Sequence, residues 1–183
     1  MHQGYFTMHN VKFKPDPAEK DWDKQQDCVP SDIDVLAYNP LLSGPDRVVA
    51  VSCKSWQEGF NPTACIDRIE NGKKYAGREA WRGFRELCVP KWSRAFTSAV
   101  EGHTGSNKFT YWTAVTRVNQ PENAELWENY PPFVQAMNGN PLRLVGFDVL
   151  LRAVWMQLST TPAASELGRM VQLMKAAKWS VPS

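Results

Sequence analysis

A chain of 183 residues, 43% hydrophobic and 22% charged, has room for one domain around a single sizeable core; wholesale disorder is excluded and two domains are a tight fit. A formal net charge of +2 excludes a basic field over the whole surface, so any contact with nucleic acid has to be a local patch of Lys and Arg facing phosphates. No apolar run approaches the roughly 20 residues that cross a bilayer, and no signal peptide opens the chain, so the expected compartment is the reducing cytoplasm.

In chain order, Gly4 to Phe13 is rich in aromatic and β-branched residues and reads as a strand ended by Pro15 and Pro17. Asp16 to Pro30 is charged and reads as a loop with a short exposed helix. Ser31-Asp32-Ile33-Asp34-Val35-Leu36-Ala37-Tyr38 reads as a second strand, and Arg47 to Trp56, with Val48-Val49-Ala50-Val51 at its heart, as a third. The turn through Ser43-Gly44-Pro45-Asp46 makes these two a hairpin. From Tyr75 to about His103 the spacing of Trp81, Phe84, Leu87 and Val89 predicts a helix, interrupted at Pro90. Lys108 to Val118 is a fourth strand, and Asn123 to Asn138 a helix broken near Pro131-Pro132. Leu142 to Phe147 is a short fifth strand with a helix through Leu158 after it. In the closing helix, Ser165 to Trp179, the stripe Leu167, Met170, Val171, Met174 and Ala177 is expected to be core. Strands interleaved with helices give an α/β fold, a mixed central sheet flanked by helices.

The chemistry-bearing residues concentrate on the hairpin. Alternation puts Asp32, Asp34 and Leu36 on one face of their strand, and Ala50, Ser52 and Lys54 on one face of the next. A lysine in an apolar strand needs an anion, and Asp34 is the expected partner of Lys54. The four cysteines, Cys28, Cys53, Cys65 and Cys88, include no C-x-x-C pair, and Cys53 reads as a small buried hydrophobe. His2, His9 and His103 are scattered without metal spacing and read as solvated. Lys73, Lys74, Arg78, Arg82, Arg85, Lys91 and Arg94, interleaved with Trp81 and Trp92, form a strip that is either a phosphate-tracking surface or a solvated face.

The hairpin resembles the PD-(D/E)XK nuclease superfamily, nearest in pattern to its resolvase and Mrr-type restriction branches. Members carry an Asp on one strand and an acidic residue, any residue and a Lys on a nearby strand. Asp34 in Ser-Asp-Ile-Asp-Val-Leu-Ala stands for the first Asp, and Ser52-Cys53-Lys54 for the triplet. The resemblance implies a restriction-endonuclease-like core over residues 1–183 and Mg²⁺-dependent hydrolysis of DNA phosphodiesters. It makes Asp34, Lys54 and Ser52 the catalytic residues, and has Mg²⁺ held by Asp34 and the Cys53 carbonyl with Asp32 assisting. Ser52 stands where the family has a carboxylate, and a hydroxyl is the poorer ligand for a hard cation. The alternative is therefore a catalytically inactive nuclease-fold domain that binds nucleic acid, a protein partner or a second copy of itself. A third reading is a scaffold whose surplus of tryptophans, eight in all, docks protein.

Overall fold

The computed structural model describes residues 4–56, 58–75, 77–157 and 166–179. Strands β1 (Phe6–Phe13), β2 (Ser31–Tyr38) and β3 (Val48–Lys54) form an antiparallel meander. The β2–β3 turn uses Gly44 at φ 68°, a conformation that only glycine adopts without strain, followed by one turn of 3₁₀ helix at Gly44–Arg47. Strand β6 (Thr110–Val115) then adds parallel to β3, and β7 (Leu142–Gly146) parallel to β6. The five-stranded open sheet has the order β1-β2-β3-β6-β7, so the mixed α/β sheet expected from the sequence is present.

The connection from β3 to β6 carries α2 (Pro62–Glu70), a small hairpin of β4 (Lys74–Tyr75) and β5 (Arg78–Glu79), a 3₁₀ turn over Ala80–Phe84, α3 (Arg85–Cys88) and α4 (Pro90–Thr104). The helix expected from Tyr75 to His103 is thus confined to its second half. Pro90 occupies the first turn of α4, where its missing N–H costs nothing, and Gly105 at φ 67° ends that helix by donating to the Glu101 carbonyl. No helix is expected over 62–70, yet α2 forms there, with Asn61 capping the Ala64 N–H at 2.9 Å and Pro62 in the first turn. The short helices α1 (Lys24–Asp27), α5 (Ala124–Glu128) and α6 (Pro131–Ala136) fall where the sequence placed them.

One face of the sheet carries the core. Leu36, Ala50, Tyr111 and Val115 meet Phe84, Leu87, Trp92, Phe96 and Val100 from the β3–β6 connection, and Trp127 and Phe133 from α5 and α6. Aromatic rings run through it edge to face, with Phe13 at 5.3 Å from Phe96 and Trp127 at 4.8 Å from Phe84. Helix α7 (Phe147–Gln157) packs beside β7 and α8 (Glu166–Ala176) against α7. Of the stripe expected to be core in α8, Val171 is buried and Met174 half-buried, whereas Met170 (54% exposed), Leu167 and Ala177 are exposed and Gly168 is buried in their place. The buried face is narrower and turned by one position from the expected one.

Strict alternation also fails in β2. Ile33 and Leu36, three residues apart, are both buried, with Asp34 and Val35 half-buried between them. Opposite this point, between the pairs His9–Val35 and Val11–Ile33, Asn10 has φ 54°. The edge of the sheet therefore switches faces at Asn10 and Asp34, which removes the shared face expected for Asp32, Asp34 and Leu36. Among the described residues no helix is long and apolar enough to cross a membrane.

Candidate functional site

The last ladder pair between β2 and β3 is Val35 with Val51; beyond it the strands lose their register. There the Asp34 carboxylate takes the place of a strand carbonyl, its Oδ2 accepting from the Cys53 N–H at 2.6 Å. The resemblance brings Asp34 and the triplet together on neighbouring strands, and the structure does place them so. It does not pair Asp34 with Lys54: among the described residues no ion pair joins them, and the Lys54 ammonium lies 5.7 Å from the centre of the Phe84 ring. A cation over an aromatic face is partly compensated without a carboxylate. Asp32 is held by the edge strand β1, its Oδ2 3.1 Å from Lys12 Nζ; it neighbours buried Ile33 in the strand and so projects to the other side of the sheet. Cys53 is exposed, not buried.

Ser52 is 2% exposed and faces the helices. Its side chain lies beside the Tyr111 phenol, as does that of Thr113. The phenol in turn donates to Glu86 Oε1 at 2.6 Å, and the Trp127 indole N–H donates to Thr113 Oγ1 at 3.0 Å. Burial, reinforced by the Glu86 carboxylate, pushes the Tyr111 pKa well above its ordinary value, so it stays a neutral donor. Ser52 is thus a buried neighbour of this polar network.

These placements do not fit the Mg²⁺ that the resemblance implies. A hard dication wants several oxygen ligands, carboxylates above all. Ser52 is buried, Asp32 belongs to Lys12, and one oxygen of Asp34 is bound to the Cys53 N–H. Among the described residues no group of three His, Cys, Asp or Glu side chains is arranged to hold a metal ion. His9 and His103 are exposed, and His2 lies outside the described residues.

The basic strip divides into three. Lys91 is buried: its Nζ lies 2.6 Å from Asp27 Oδ2 and donates to the Asp21 carbonyl, so it ties the 16–30 loop to α4 and has no reach to a phosphate. The Asp27 carboxylate also accepts from the Asp23 N–H and the Trp92 indole. Arg94 pairs with Glu19 on the same side, and Lys73 with Asp67 at 2.9 Å. Lys74 is exposed on β4. The remaining three, Arg78, Arg82 and Arg85, line one cleft of about 1190 Å³ beyond the C-terminal end of β3.

That cleft has an aromatic floor of Trp56, Phe60 and Phe84, with the Trp56 and Phe60 rings stacked at 5.2 Å and 21°. Arg68, from the last turn of α2, joins the other arginines, so the cleft lining holds four arginines and two acidic residues, Glu58 and Glu79. Glu79 holds Arg82 through a 2.6 Å bond to Nε, with the guanidinium over the Trp81 ring, and Arg85 lies over Trp92. The opposite wall is fixed by Arg117 and Asn119, both donating to the Glu58 carbonyl. Gly59 is required there: at φ 82°, a Cβ on it would come 2.5 Å from Asn119 Oδ1. Arg68 and Trp56 are among the cleft residues that the sequence pattern does not single out. The Asn61-Pro62 helix start was the available signal for Arg68, and none distinguished Trp56 from a strand residue. No family model, curated protein or solved structure matches this chain.

Proposed function

We propose that this chain is a nuclease-like α/β domain that binds DNA and does not cut it through the motif on β2 and β3. The observation that carries this is the cleft at the end of the motif strand, where Arg68, Arg78, Arg82 and Arg85 surround an aromatic floor beside Lys54. Guanidinium groups suit phosphate because their planar fork donates two parallel hydrogen bonds, and here they are concentrated on one concave surface of a chain with little net charge. The core-like layout of the sheet and the adjacency of Asp34 to the triplet support a restriction-endonuclease-like ancestry. The burial of Ser52 beside Tyr111, whose phenol occupies the nearby Glu86 carboxylate, favours the inactive branch over a metal-dependent endonuclease. Four free cysteines fit the proposed cytoplasmic location.

The test is fluorescence anisotropy of labelled DNA, with a cleavage assay in Mg²⁺ and Mn²⁺ run on the same preparation. Binding should weaken with salt and with Arg82→Glu plus Arg85→Glu, and the DNA should stay intact. Cleavage that Asp34→Ala abolishes would restore the endonuclease reading.

A further inference from the structure

The cleft carries a second feature besides its charge, and from it we infer that the DNA it takes is single-stranded, with an unpaired base stacked on Trp56; this rests on the DNA-binding reading above. Trp56 is only half-buried although its ring is braced on Phe60 and lies 5.8 Å from Phe84; the remainder of the indole lines the cleft. A ring braced from behind is a preformed platform, because little rotamer freedom is left to lose when a base lands on it. The rim groups are likewise set in place, Arg82 by Glu79 and Trp81, Arg85 by the Trp92 ring. Arginines tracking the backbone beside an aromatic stacking surface is the combination that recognises single strands irrespective of sequence, since every base has a π face.

The shape favours the same occupant. A duplex hides its base faces and is read by a convex element entering a major groove about 12 Å wide. A concavity of about 1190 Å³ is larger than the roughly 300–1,000 Å³ that a drug-sized ligand fills, and takes in a strand.

Three probes of equal length distinguish the possibilities: a twelve-nucleotide thymidine strand, an abasic strand with the same phosphates, and a duplex. Wild-type protein should bind the thymidine strand roughly 5- to 150-fold tighter than the abasic one, the range expected for loss of base stacking. It should also bind that strand tighter than the duplex. Trp56→Leu should bring thymidine affinity down to the abasic level and leave abasic affinity unchanged. If Trp56→Leu does not fold, Trp56→Phe should give an intermediate ratio, and a ratio equal to wild type would overturn the inference. Equal wild-type affinity for thymidine and abasic strands, or tighter duplex binding, overturns it too while leaving DNA binding standing. No binding to any probe would remove both readings.

Discussion

The polar network around Ser52 and the cleft around Trp56 lie a few residues apart along the chain, yet their polar groups meet opposite fates. In the network the polar groups turn to protein partners, Tyr111 donating to Glu86 and Trp127 to Thr113, with Ser52 buried beside them. In the cleft, Arg82 is held by Glu79 and the Trp81 ring and Arg85 by the Trp92 ring, and both line the open cleft. A satisfied buried network is rigid and specifies one core. The residues that resemble a catalytic motif and the cleft proposed to bind DNA therefore occupy adjacent but different places in this molecule.

The sharpest way to break the comparison is to put the missing carboxylate back. Ser52→Glu sets a second carboxylate in the buried network beside Glu86, and should cost on the order of 5 kcal/mol in denaturant unfolding without tightening Mn²⁺ binding. A stable variant with a new metal site would show that the network is open.

Lys91 offers the next largest effect, and separates the strip's structural part from its cleft part. Lys91→Met leaves Asp27 buried and unpaired and should cost about 3–5 kcal/mol, with DNA affinity retained wherever the variant is folded. Burial pushes the Asp27 carboxyl up, but the Lys91 ammonium, the Asp23 N–H and the Trp92 indole hold it below its ordinary value of 3.8. A depressed carboxyl stabilises the fold above that value and loses its contribution as pH falls through the folded pKa. The stability gap between wild type and Asp27→Asn should therefore be full at neutral pH and close below about pH 4.

Asp34→Ala should cost about 1.5–3 kcal/mol, the range for a hydrogen bond to a charged group, because the Cys53 N–H loses its acceptor. DNA affinity should not change. Loss of DNA binding without loss of stability would return Asp34 to the functional site. At the small end, Asp32→Ala breaks an exposed ion pair with Lys12 and should cost less than about 1 kcal/mol by the same unfolding measurement.

The strands were legible because β-branched runs and turn residues report the local period directly. Val48-Val49-Ala50-Val51 and the stretch around Tyr111 and Trp112 landed where the pattern put them. The failures share a cause: they depend on what the chain meets in space. The helix read over 75–89 has apolar spacing without the backbone for it, since Gly77 at φ 81° and the pairing of Lys74 with Glu79 impose a hairpin first. The switch of faces at Asp34 is imposed jointly with Asn10 of another strand, which no single-strand period contains. Lys91 looked like its neighbours in the strip because its counter-ion, Asp27, lies on a distant segment. For the same reason the motif residues were found and their partners were not: Tyr111, Phe84 and Lys12 are all remote in sequence from the groups they occupy.

The central claim is that the arginines of the cleft, and not a metal held by the motif, bind DNA. Its most direct test is equilibrium binding of a labelled single strand in EDTA across a salt series. The logarithm of affinity should fall linearly with the logarithm of salt, with a slope of about 0.7 for each phosphate engaged. Arg82→Glu should lower both the affinity and that slope, and restoring Mg²⁺ should leave the strand uncut. Absence of binding in EDTA, with binding and cleavage appearing together when Mg²⁺ is restored, would contradict the account.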